Sequence, residues 1–197
     1  MFCYPGGTPL DAGTRGYSLT HNFLSDLGMT VSYSHAPNRL GAALFVASLL
    51  LLVIGAGICI STVVSSLSRN PGARSWIRMA TVSMLLACVA FIGVAFTPEN
   101  RAMSAHVAFT IWGWRFVPVV AGCLGIAMVR AHAFSRSRIV LWFVSTGLLA
   151  LYVAIGTWGP SVTTMGGLTF QVVAQKAAAL VLIAALLLLR PEKPRLL

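Results

Sequence analysis

The chain has 197 residues, 57% hydrophobic and only 9% charged, far below the roughly 25% charged residues of an average soluble domain. That composition excludes a water-soluble domain, and the length allows five or six bilayer spans of about 20 residues with no room for a further domain. The net charge of +10 does not point to a nucleic-acid partner, because the basic residues sit in small clusters at the ends of apolar runs and form no aromatic-interleaved stripe.

Residues 1–38 come first and hold no span. They also lack the basic start and apolar core of a signal peptide. Within them, Tyr17 to Gly28 reads as a short interfacial helix: Ser18 or Thr20 can cap it, Leu19, Phe23, Leu24 and Leu27 recur at helical spacing, and Gly28 suits the stop. Five apolar runs follow, Leu40 to Leu67, Ile77 to Thr97, His106 to Met128, Ile139 to Trp158 and Leu168 to Leu189. Each can cross about 30 Å of hydrocarbon as a helix. None shows the alternation of a barrel strand, so the fold class is all-α, a polytopic transmembrane helix bundle of about five spans over residues 39–190, with a tail at 191–197.

Orientation follows from Lys and Arg. Arg69, Arg74 and Arg78 follow the first run, Arg130, Arg136 and Arg138 the third, and Arg190, Lys193 and Arg195 the last. These three clusters belong on the cytoplasmic side, which puts the C-terminus inside. Residues 1–38, Pro98 to Ala105 and Gly159 to Gly167 then lie outside, the expected plasma (inner) membrane being that of a bacterium. Trp76, Trp142 and Trp158 fall near run ends, as interfacial aromatics do. An external start with no span of its own leads us to expect an upstream span beyond the given sequence. Cys59, Cys88 and Cys123 lie in apolar runs, and with no CxxC, HxxxH or Cys/His cluster the sequence predicts neither a metal nor a cofactor.

The stretch from His21 through Ser25, Asp26, Leu27 and Gly28, followed by Asn38 and Gly41 opening a span and by Thr97, Pro98 and His106, resembles the bacterial and archaeal membrane family known as domain of unknown function 998. The resemblance covers nearly the whole chain and implies six spans in the full-length family, one of them ahead of the Ser-Asp-Leu-Gly motif. The chain is more distantly similar to the eukaryotic six-span group that includes GPI-anchor lipid-remodelling factors and autophagy modulators. Neither resemblance implies a reaction. What it implies is that His21, Ser25, Asp26 and His106 lie on the outer side.

From the residues themselves, Arg115 in the third run and Lys176 in the fifth are the most informative. A cation at the bilayer centre costs about 2.5–3.5 kcal/mol on insertion scales and marks a candidate site. Both lie roughly 12–15 Å below the outer end of their runs, so they can face one cavity. No acidic residue occurs within the runs, which leaves Asp26 or an anionic ligand as counter-ion. Gln171 and Gln175, one helical turn apart, add polar groups beside Lys176. Pro118 removes the amide that would bond the Trp114 carbonyl and is expected to loosen the helix there. Snorkelling cations, capping by Ser25 and Asp26, and interfacial hydrogen bonds from His21 and His106 are the plainer alternatives. The leading expectation is an integral membrane protein that binds an anionic lipid, or another amphipathic ligand, in an outward-opening polar cavity, with membrane lipids as its partners. A membrane-embedded lipid-modifying enzyme is the second reading and a small transporter the third. The sequence shows no converged acid/base pair and no internal repeat for either.

Overall fold

Five helices form the body of the protein: α1 (Arg39–Leu67), α2 (Arg74–Phe96), α3 (Glu99–Ala131), α4 (Arg136–Trp158) and α5 (Met165–Leu188). They are seen in a computed structural model that describes residues 3–132 and 134–188, so the tail at 191–197 lies outside the described residues. All five are long and apolar enough to cross a membrane, and the described residues form an all-α, five-span bundle of an integral membrane protein. Its surface agrees: Leu51, Ile58, Val89 and Leu180 are all more than half exposed, which suits hydrocarbon and not water as the surrounding solvent.

The helices pack in chain order, α2 most extensively against α3. One core joins all five helices around Val63, Leu67, Ala80, Leu124 and Ala127, with Trp142 from α4 and Ala185 from α5. Alanines at the contacts let backbones approach closely, the usual source of adhesion where lipid tails already match the side chains in polarity. Trp142 belongs to this core at 4% exposure and donates its indole N–H to the Ala121 carbonyl at 2.7 Å. It is thus a packing residue and not the interfacial aromatic expected, whereas Trp158, at 82% exposure, keeps its place at a helix end.

One boundary also differs. α3 starts at Glu99, so most of the expected outer connection from Pro98 to Ala105 is helical. Pro98 pre-sets the entry at φ −52°, and Glu99 in the first turn complements the positive end of the helix. The backbone departs from helical geometry inside α3 at Ala102 (φ −142°, ψ 51°), while the helix runs on through Pro118.

The N-terminal residues form a compact cap over one end of the bundle. A hairpin of β1 (Gly6–Thr8) and β2 (Asp11–Arg15) leads into a single 3-10 turn, Leu24–Gly28, which touches α1, α3 and α5. The helix expected over 17–28 is therefore confined to its last five residues. Polar side chains explain this. Asn22 Oδ1 accepts the Ser18 N–H and Ser18 Oγ the His21 N–H, as a capping side chain does, while Asp26 Oδ2 takes the Phe23 N–H that a continuous helix would bond to the Leu19 carbonyl.

Candidate functional site

The cap is held by buried polar groups. Asn22 and Asp26 are each 0% exposed, and the Asn22 amide donates to Asp26 Oδ2 and to the Gly7 carbonyl, both at 3.0 Å. Asn38, just before α1, donates to the carbonyls of Leu27 (3.0 Å) and Met29 (2.8 Å), so the turn is clamped at both ends. Burial, followed by the charge of Glu99, pushes the Asp26 carboxyl up to about 8, against the bonds from Asn22 and Phe23 and the charge of Lys176. The buried Asp26 carboxyl thus holds its proton far more tightly than a free carboxyl does.

From below, α5 fastens the cap. Gln175 Oε1 accepts the Leu24 N–H at 2.8 Å, the Lys176 ammonium donates to the Asn22 carbonyl, and the same ammonium lies 5.2 Å from the centre of the Tyr17 ring. His21 joins through Nε2 and Thr169 Oγ1 at 3.2 Å. Gln171 turns the other way, donating to the carbonyls of Ile155 and Pro160 at the end of α4.

Two cavities lie beneath the cap. The larger, about 760 Å³, is a cleft between α3 and α4 reaching from the cap to the middle of α3. Its polar lining includes Ser25, Tyr33, Glu99, His106, Gln175 and Arg115, and Tyr152 and Trp114 form an aromatic wall. At the mouth, the Tyr33 hydroxyl donates to Glu99 Oε1 at 3.0 Å. Arg115, at the midpoint of α3, places its guanidinium carbon 5.3 Å from the centre of the Trp112 ring. The smaller cavity, about 320 Å³, is lined mainly by apolar residues of α1, α2 and α5 and shares Ser25, Thr110, Trp114 and Gln175 with the cleft.

The structure divides the predicted residues into two groups. Ser25, His106, Arg115, Gln171 and Gln175 line the cleft; His21, Asp26 and Lys176 do not, and belong to the cap and its attachment. Arg115 and Lys176, expected to face one cavity, have separate surroundings. Asp26 makes its bonds within the cap and lines neither cavity. Sequence reasoning missed Asn22, Tyr33, Glu99 and Thr110. Only Asn22 carried a legible signal, four residues before Asp26.

Comparison with known proteins yielded no matching protein family, no matching curated protein and no matching solved structure.

Proposed function

We propose that this integral membrane protein binds an anionic lipid in the α3/α4 cleft, with Arg115 pairing with the lipid's charged group. The observation that carries the reading is Arg115 itself: a guanidinium halfway along a spanning helix, on the wall of a 760 Å³ cleft, within cation–π distance of Trp112. A cation held there in hydrocarbon is costly unless an anion joins it, and a planar fork suits a phosphate or carboxylate. Met103, Val107 and Ile111 on the same wall are 53%, 43% and 42% exposed, which leaves the cleft open sideways, where a lipid would enter.

The positions of Arg and Lys between spans favour an orientation with the cap outside, and the resemblance to the domain of unknown function 998 family favours a bacterial plasma membrane and outer-side placement of Ser25 and His106. Native mass spectrometry of the protein extracted from membranes tests the reading. Arg115→Leu should lose co-purified anionic lipid, and Lys176→Leu should keep it. Unchanged lipid in Arg115→Leu would overturn the proposal.

A second reading, a lipid-modifying enzyme, draws on Ser25, Glu99 and His106 lining one cavity. It requires turnover of an added lipid ester that disappears in Ser25→Ala.

A further inference from the structure

His106 is 3% exposed, and its Nδ1 lies 2.7 Å from the Thr97 carbonyl oxygen. A carbonyl only accepts, so Nδ1 carries the proton and the neutral ring presents Nε2 as a hydrogen-bond acceptor. That Nε2 is buried, lies on a residue lining the cleft, and has no hydrogen-bond partner among the described residues. One turn further along α3, Thr110 Oγ1 is likewise buried and unpartnered on the same wall. Buried polar atoms are nearly always satisfied, so two orphans side by side on a cavity wall mark where a ligand's polar group docks.

Arg115 sets the other end. Side chains in a helix lean toward its N-terminus, and the guanidinium lies back over Trp112, about 9 Å along the helix axis from His106. From the start of α3 inward, the cleft residues offer a hydrogen-bond acceptor, a hydroxyl and a cation, with the exposed apolar Val107 and Ile111 between them. A phospholipid whose headgroup carries a free hydroxyl presents the same order, hydroxyl then phosphate, and its acyl chains would leave sideways past Val107 and Ile111. Glu99 at the mouth adds a carboxylate that disfavours a second negative charge on the headgroup.

Resting on the lipid-binding reading above, we infer that the cleft selects a singly anionic phospholipid with a hydroxyl-bearing headgroup, the hydroxyls being read by His106 and Thr110 and the phosphate by Arg115. The test uses phosphatidylglycerol and phosphatidylmethanol with the same acyl chains. They carry the same charge and differ in the headgroup hydroxyls. Titrated into the purified full chain in detergent and followed by native mass spectrometry, wild type should prefer phosphatidylglycerol by about tenfold, the value of one or two net hydrogen bonds. His106→Phe and the milder Thr110→Val should each shrink that preference while phosphatidylmethanol still binds, whereas Arg115→Leu should weaken both lipids. Equal binding of the two lipids to wild type, or a preference that survives both His106→Phe and Thr110→Val, would overturn the headgroup assignment and leave the lipid site standing. Binding of neither lipid to wild type would overturn both.

Discussion

The Lys176 ammonium of α5 donates to the main-chain carbonyl of Asn22, and its neighbour Gln175 accepts the N–H of Leu24. Two adjacent side chains of the last span therefore fasten the N-terminal cap to the bundle. Gln175→Leu leaves the Leu24 N–H without this acceptor and should cost about 1–3 kcal/mol. Lys176→Leu loses a charge-assisted bond but also relieves desolvation, so its cost should fall at the lower end of that range. Hydrogen exchange should show lost protection confined to residues 17–38. Unaltered exchange there in both variants would mean that α5 does not hold the cap.

Asp26 makes the cap sensitive to pH. Its folded-state value of about 8 lies above the ordinary 3.8, so across that window the folded protein keeps a proton that the unfolded chain has released. The resulting stabilisation is fully present below about pH 4 and is lost as pH rises through about 8. The thermal midpoint of wild type should decline from pH 5 to pH 8.5, and that of Asp26→Asn should stay nearly flat. A wild-type midpoint that climbs over the same range would show an ionised Asp26.

Gly93 in α2 sits directly against the Phe109 ring of α3. A Cβ there would lie 2.5 Å from Phe109 ring atoms of α3, including the one joined to its own Cβ, so the ring cannot simply swing its tip aside. Gly93→Ala should cost about 1–3 kcal/mol through overpacking. Gly55 and Gly57 in α1 meet nothing within 4 Å, and alanine at either should be neutral or slightly stabilising through helix propensity. Thermal unfolding of the three variants in detergent gives the ranking directly.

Orientation can be read by labelling. In a cysteine-free background, single cysteines at Arg101 and Ser161 should react with an impermeant reagent from outside, and those at Arg74 and Arg136 should not. The opposite pattern would invert the protein in its membrane.

Much of the architecture was legible in the chain itself, because crossing a bilayer is a local requirement. Each apolar run of about 20 residues must satisfy its own backbone and so must be a helix whatever its neighbours do. The same holds for the Arg clusters between the runs, which favour one orientation without reference to packing. Conspicuous cations were equally visible, since Arg115 and Lys176 stand out in any hydropathy reading.

Their surroundings were not visible. Leu24 and Gln175 meet across 151 residues and Tyr33 and Glu99 across 66, and no periodicity records such encounters. Lys176 was absorbed by a carbonyl of the cap, Asp26 by its own turn, and Arg115 alone of the three reached the cleft. The sequence by itself determined a five-span helical protein with two costly cations. Only the tertiary structure decided which cation faces a cavity, because hydropathy is a sum over neighbours in the chain, whereas a buried polar group is satisfied by whatever the fold brings within about 3 Å of it.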